Sequence, residues 1–176
     1  MKTKHIIFIF AGIFWLTLQF TQAQTYKVYK FQHRANGQYL SVGQTSDGTP
    51  ALTLTEKTLE NRLNQSFILK ELSNGSVLIT TAQNPSMFLK NDGTFEELAD
   101  GYSTAAFEWK IKLTASSLGT ANDQLYCMLL AVNPSGNPVL GVNSSGTVSF
   151  QALPTDIYNN ASEIICFKLI PEAELF

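Results

Sequence analysis

The chain has 176 residues, with 12 Lys and Arg against 14 Asp and Glu and a formal net charge of −2. Its basic residues are scattered singly, without the cluster or stripe that follows a phosphate backbone, so we expect no nucleic-acid partner. Only two histidines are present, and the first precedes an apolar run that we expect to be removed, which excludes a two-His metal site in the mature protein.

The N-terminal segment has the layout of a secretory signal peptide. Lys2 and Lys4 precede an uncharged apolar run at 6–20, and Ala23 supplies a small residue where cleavage is expected. The run is shorter than the roughly 20 residues of a spanning helix, although an uncleaved anchor is the alternative. We therefore expect residues 1–23 to be a signal peptide and the product to be secreted or periplasmic, with no membrane span in the mature chain.

The remaining chain, residues 24–176, is long enough for one domain with its own core. Short apolar runs rich in Val, Ile, Thr, Phe and Tyr alternate with Gly and Asn turns, a pattern typical of all-β sandwiches and barrels. The turns are ANG at 35–37, SDG at 46–48, SNG at 73–75, NDG at 91–93, NPSGNP at 133–138 and SSG at 144–146.

An internal repeat of about 50 residues organises this domain. Leu40, Leu89 and Leu140 hold one shared position, in steps of 49 and 51 residues, and each is followed by an Asp/Ser-Gly-Thr turn. Because no unit of this length can bury its own apolar face, the units must share one core. The expected units are approximately 26–72, 76–113 and 125–170, with about four strands each.

Each unit is expected to close on a phenylalanine at the centre of the core, namely Phe67, Phe107 and Phe167. The spacing from the shared leucine is 27 residues in the first and third units but 18 in the second, which predicts a lost loop there. Trp109 shares strand parity with Phe107, so its side chain is expected to point inward.

The segment YKFQHRANGQYLSVGQTSDGTPALTLTE, followed by NQSFIL at 64–69, resembles the ricin-type (ricin B-like) β-trefoil lectin family. The resemblance implies a twelve-stranded β-trefoil with up to three shallow sugar sites, one per unit, and no cofactor. The position of the family's sugar-binding Asp holds Ser41, Lys90 and Gly141 in the three units. Only the first unit keeps the closing Gln, as Gln65, so the resemblance implies carbohydrate binding through degenerate sites.

Three residues of the first unit are the leading carbohydrate contacts: Ser41, Asn64 and Gln65. A neutral sugar needs a carboxylate or amide for its hydroxyls and an aromatic face beside it. Ser41 offers a single hydroxyl, so binding there is expected to be weak. The alternative is structural, with Gln65 tying down the neighbouring turn and Asn64 capping it.

A second candidate surface is the stretch from Phe95 to Tyr102, where aromatic and acidic residues alternate. Glu96 and Glu97 could act as acid and base or bind Ca²⁺. Because adjacent strand residues point to opposite faces, a solvated edge is the simpler interpretation, and we expect no metal site.

We expect no enzymatic activity, since GxSxG is absent and His33 alone would have to support a catalytic triad.

Cys127 and Cys166 lie in apolar strand-like runs, where they are either a disulfide or two buried thiols. From the resemblance to the lectin family, a glycan is the expected partner. The alternative is a protein-binding module, such as a secreted protease inhibitor or surface-interaction protein, using the loops at 102–106, 114–124 and 155–162.

Overall fold

The computed structural model describes residues 27–99, 101, 103–113, 126–133, 138–153 and 165–172. The segment 1–23 that is expected to be a signal peptide, Tyr102 and the segments 114–124 and 155–162 lie outside these residues. Within the described ranges no helix is long and apolar enough to cross a membrane. The strands are β1 Val28–His33, β2 Tyr39–Gln44, β3 Pro50–Thr55, β4 Phe67–Glu71, β5 Val77–Thr81, β6 Met87–Leu89, β7 Phe95–Glu97, β8 Glu108–Leu113, β9 Tyr126–Ala131, β10 Val139–Val142, β11 Val148–Gln151 and β12 Phe167–Pro171, with a 3-10 helix at Ala105–Phe107.

Six of the strands close into an antiparallel barrel in the order β1-β4-β5-β8-β9-β12, and β12 pairs back onto β1. The other six form three hairpins, β2-β3, β6-β7 and β10-β11, each continuing from a barrel strand. The first two hairpins also touch, through a bridge between Ala51 and Thr94. The all-β class is therefore confirmed, and each of the expected units, approximately 26–72, 76–113 and 125–170, contains four of the described strands.

The three hairpin turns share one hydrogen-bonding pattern. In the first, the Thr45 N–H donates to the Thr49 carbonyl and the Gly48 N–H donates to the Thr45 carbonyl, at 2.9 and 3.0 Å. The same two bonds recur at residues 90–94 and 143–147. The turn glycine has φ of +84°, +87° and +79° in the three units, a region that strains any residue with a side chain. The sequence repeat is thus a structural repeat.

Phe67, Trp109 and Phe167 occupy equivalent positions at the centre of the barrel. Their cross-strand partners are Tyr29, Val77 and Cys127, and each ring is at most 1% exposed. The indole N–H of Trp109 donates to the Leu89 carbonyl at 3.0 Å, which satisfies a polar group that would be costly to bury alone. The inward direction predicted for Trp109 is confirmed.

The prediction that Phe107 is the central phenylalanine of the second unit is wrong by two residues. Phe107 packs in a separate outer cluster with Leu78 and Phe88. Because Trp109 replaces the expected Phe, the motif in this unit reads Phe-Glu-Trp, and the matching positions in the first unit are Gln65 and Phe67.

The shortening of the second unit lies in its hairpin. Leu40 pairs with Leu54, whereas Leu89 pairs with Phe95 and Leu140 with Phe150. The segment between this pair and the turn is therefore four residues shorter on each side of the second hairpin than in the first, and the loop before β8 is kept. All three leucines are at most 1% exposed and belong to the main core.

Candidate functional site

The three first-unit candidates lie on two neighbouring segments, β2 and the residues that precede β4. Ser41 lies on β2 opposite Thr53, and the N–H of the next residue, Val42, donates to the Asn64 carbonyl at 3.0 Å. Ser41 and Gln65 are only 1% and 0% exposed, while Asn64 is half-buried. A ligand at this position would therefore meet Asn64 first.

Gln65 fastens the end of β3 to the start of β4. Its side-chain amide N–H groups donate to the Thr55 hydroxyl and the Glu56 carbonyl, both at 2.8 Å. This is the turn-tying arrangement named as the alternative for Gln65. The buried Gln65 Oε1 and Asn64 Oδ1 accept no hydrogen bond from the described residues. Both amide oxygens are thus unsatisfied acceptors within the described part of the chain, and neither is exposed at the surface of this structure.

The residues of the second candidate surface, from Phe95 to Tyr102, do not share one environment in the structure. Phe95 is 3% exposed and packs in the main core, so its ring is closed to a ligand. Glu96 pairs with Lys90 at 3.0 Å, whereas Glu97 accepts from the Ser86 hydroxyl at 3.3 Å. The two carboxylates therefore take different partners, and they do not form one site. Tyr102 lies outside the described residues.

A groove of about 490 Å³ lies on the Glu97 side of this hairpin. The half-buried Leu98 and the small exposed part of Phe88, which is 8% exposed, form an apolar wall, and the Lys70 ammonium lies 4.7 Å from the centroid of the Phe88 ring. Glu97, Ser86 and Thr104 contribute the polar lining, with Pro85, Ala99 and Gly101 completing it. The groove combines an apolar wall with a carboxylate, hydroxyls and an ammonium group.

The Thr104 hydroxyl of the groove is held in place by Glu108. The Thr104 hydroxyl donates to Glu108 Oε1 at 2.6 Å, and the Asn74 amide donates to Oε2 at 2.9 Å. These hydrogen bonds, that from Thr104 foremost, lower the pKa of Glu108 below its ordinary value. Glu108 is therefore a carboxylate at neutral pH. Because the Thr104 O–H donates its hydrogen bond to this carboxylate, the Thr104 oxygen can accept a hydrogen bond from a ligand.

The candidate surface from Phe95 to Tyr102 covers part of this groove, namely Glu97, Leu98, Ala99 and Gly101. The sequence analysis did not include Phe88, although a signal for it was present. Phe88 directly precedes the shared Leu89, so strand alternation turns it away from the core. The corresponding residue is Tyr39 in the first unit and Val139 in the third, as their pairing with β1 and β9 shows. An outward aromatic next to an inward leucine was the available indication.

The cysteines and the histidine are built into the fold. Cys127 lies directly across from Phe167, so the two side chains share a face, whereas Cys166 precedes Phe167 and points to the other face. The two cysteines are buried and are not joined by a disulfide. Burial, with a smaller contribution from Cys166, raises the pKa of Cys127 to about 12. His33 is 2% exposed and packs on Phe167, with ring centroids 5.5 Å apart.

Comparison with known proteins places the fold. No protein-family model matches the chain, and a search of curated proteins finds no significant match. Among solved structures, a GlcNAcα1-4Gal-releasing endo-β-galactosidase from Clostridium perfringens is similar at TM-score 0.59 and 15% identity, covering 84% of this chain. This chain spans only 33% of that enzyme.

Two further similar structures match this chain over nearly their full lengths. The designed threefold-symmetric protein ThreeFoil has TM-score 0.56 and 15% identity, with 81% of this chain and 97% of that one covered. The C-half of an earthworm R-type lectin in complex with GalNAc has TM-score 0.51 and 12% identity, covering 83% and 99%. At these identities the likeness shows a shared fold alone.

Proposed function

We propose that this chain is a secreted, non-catalytic β-trefoil of the ricin B-like type that binds carbohydrate. Three observations support the proposal: the threefold repeat of barrel and hairpin, the similarity to an R-type lectin solved with GalNAc, and the groove beside Phe88. The groove carries the proposal, because it joins an apolar wall to a carboxylate and hydroxyls within about 490 Å³, the combination that a saccharide ring needs.

Each group of the groove has a distinct role in the proposed complex. The Phe88 and Leu98 side chains receive the less polar face of the ring. Glu97 accepts hydrogen bonds from sugar hydroxyls, and a bond to a charged acceptor is stronger than one to a neutral group. The Thr104 hydroxyl oxygen accepts a hydrogen bond from a further sugar hydroxyl.

The first-unit residues form a second, weaker sugar position in this proposal. Asn64 Oδ1 and Gln65 Oε1 are acceptors that no described residue satisfies. Because Ser41 and Gln65 are almost fully buried, only a small part of a sugar could reach them. This is the degenerate state that the resemblance to the lectin family implies for the first unit.

A glycan array on the chain from Gln24 onward, with GalNAc- and galactose-terminated saccharides included, tests the proposal. Any hit is then titrated by calorimetry against Glu97→Gln, with Glu96→Gln as the matched control, since both side chains are exposed on β7. Loss of one charged acceptor is expected to weaken binding by about tenfold, while the control keeps its affinity. A blank array, or equal loss in both variants, would contradict the proposal.

Export is tested separately. The N-terminal sequence of the protein collected outside the cytoplasm is expected to begin at Gln24. An intact Met1 on the collected protein would contradict cleavage.

A further inference from the structure

The outward-facing side of the barrel is apolar in two of the three units. In the second unit, Leu78, Phe88 and Phe107 form one small cluster. In the third unit, Met128 and Ile165 belong to another cluster, together with Leu130, Val139 and Cys166. These satellite clusters lie outside the main core and repeat with the pseudo-threefold symmetry.

The first unit breaks this pattern. The strand registers place Lys30 where the other units have Leu78 and Met128. By the same registers Gln65 corresponds to Phe107 and Ile165. Lys30 and Gln65 are nevertheless 6% and 0% exposed. Polar groups are thus buried at positions where the same fold accepts apolar ones.

Glu172, the last described residue, is a second polar residue at a place where another unit has an apolar one. It lies five residues past Phe167, as Leu72 lies five past Phe67, and Leu72 packs against the apolar cluster of the second unit. Lys30 Nζ lies 2.7 Å from Glu172 Oε1, and the Ser66 hydroxyl is 2.6 Å from Oε2. Both carboxylate oxygens are therefore engaged.

Glu172 is charged in this setting. Burial by itself raises its pKa, but hydrogen bonds from Lys30 and Ser66 and the charges of Lys30 and Arg62 bring the pKa below the ordinary value. A buried ion pair is weak evidence for stability, because well-packed apolar residues of similar size often do as well or better. The second and third units of the same molecule have apolar clusters at this place. A role in binding therefore accounts better than stability for the polar residues Lys30 and Glu172.

A pocket of about 350 Å³ opens beside this ion pair. It is lined by three cationic side chains, one carboxylate, a hydroxyl and an exposed leucine, namely Lys30, Lys57, Arg62, Glu172, Thr58 and Leu59. The lining has an excess of positive charge in a chain whose formal net charge is −2. Glu60 lies on the same loop but does not line the pocket.

Lys30 and Arg62 differ in the hydrogen-bond donors that they present to the pocket. Lys30 gives one of its three N–H groups to Glu172 and has two further donors. Arg62 Nε lies 4.0 Å from Glu172 and its side chain is 59% exposed, so most of its guanidinium donors face outward. Leu59, 91% exposed, adds an apolar surface at the rim.

We propose that this first-unit pocket binds the carboxylate or sulfate group of an acidic saccharide. The oxoanion accepts hydrogen bonds from Lys57, Arg62 and Lys30, and the ring lies against Leu59. This site is separate from the Phe88 groove and extends the proposed carbohydrate-binding function to charged glycans. Because its residues differ from those of the groove, failure of one site is distinguishable from failure of the other.

The proposal is tested by titrating the ¹⁵N-labelled chain with D-glucuronate, galactose 6-sulfate, neutral glucose and inorganic sulfate at constant ionic strength. Glucuronate or the sulfated sugar is expected to shift the amide signals of residues 57–62 and 172, with at least about tenfold tighter binding than glucose. Tighter binding of the acidic sugar than of inorganic sulfate is expected from the Leu59 contact. Equal binding of inorganic sulfate would overturn the saccharide assignment.

Variants locate the site. Arg62→Gln and Lys57→Gln, both at exposed positions, are each expected to weaken the acidic sugar several-fold, whereas Lys110→Gln on β8 leaves it unchanged. Glu172→Gln removes the competing carboxylate and is expected to tighten binding. Equal weakening by Lys110→Gln would mean general charge attraction and would overturn the proposal, as would binding that is indifferent to Arg62 and Lys57.

Discussion

Lys30 Nζ lies 2.7 Å from Glu172 Oε1. At the equivalent place the second unit has Leu78, and Leu72 of the first unit packs against the apolar cluster of the second. The Lys30–Glu172 pair joins the first strand of the barrel to the residue that follows the last strand. It is the clearest departure from the threefold symmetry within the described residues, and it leads to two predictions on stability.

Restoring the symmetric residues should not harm the fold. The double variant Lys30→Met with Glu172→Leu is expected to be as stable as the parent or more stable by about 1–3 kcal/mol, because it exchanges a buried ion pair for apolar packing. Glu172→Leu alone is expected to destabilise by about 3 kcal/mol, since the buried Lys30 ammonium loses its partner. Lys30→Met alone is expected to cost less, because the Glu172 carboxylate that it leaves unpaired is 18% exposed. Urea unfolding of all three variants measures this. A double variant that is less stable than both single variants would contradict it.

The same pair predicts a dependence of stability on pH. The pKa of Glu172 in the folded state is lower than its ordinary value of 4.5. The unfolded chain therefore binds more protons between the two values, and the contribution of Glu172 is present above the ordinary pKa and lost as pH falls through the folded one. Denaturation midpoints measured from neutral to acid pH should fall less steeply in the Lys30→Met, Glu172→Leu variant than in the parent. Identical slopes would contradict the linkage.

The buried thiol of Cys127 should be unreactive. Its pKa of about 12 leaves almost no thiolate at neutral pH, and its side chain points to the opposite face from Cys166. A thiol reagent is expected to modify Cys127 only after unfolding, and the oxidised protein should contain no bond between the two cysteines. Peptide mapping without reductant checks this, and a Cys127–Cys166 peptide would contradict it.

The central aromatic layer predicts different costs for two substitutions of Trp109. Trp109→Phe supplies the ring type of Phe67 and Phe167 but leaves the Leu89 carbonyl without the indole donor, at a cost of about 1–3 kcal/mol. Trp109→Ala is expected to cost more than about 3 kcal/mol. Thermal unfolding measures both. A Trp109→Phe variant that is much less stable than the Trp109→Ala variant would contradict the equivalence of the three positions.

The repeat itself was predictable because local chemistry carries it. Leu40 and its two counterparts recur before Asp/Ser-Gly-Thr turns, and those turns need a glycine with positive φ wherever they occur. The centre of the second unit was mistaken because Phe107 stands where the first unit has Gln65. With no glutamine to fix the alignment and a hairpin shortened on both strands, spacing alone pointed two residues too early.

The site residues were harder to predict for a different reason. Ser41 and Phe95 were chosen from a family pattern and from composition, and their burial depends on neighbours across the sheet. The pocket beside Lys30 depends on Glu172, which is at the other end of the chain and meets Lys30 only when β12 pairs with β1. Barrel closure of this kind leaves no local signal in the sequence.

Carbohydrate binding in the groove beside Phe88 can be tested by titrating the ¹⁵N-labelled chain with GalNAc and with the best neutral saccharide from the array, and mapping the amide shifts. We expect shifts centred on Ser86, Phe88 and Glu97, smaller ones at Asn64, and their loss in Glu97→Gln but not in Glu96→Gln. Saturable shifts that leave the groove untouched, or no shifts with any saccharide, would contradict it.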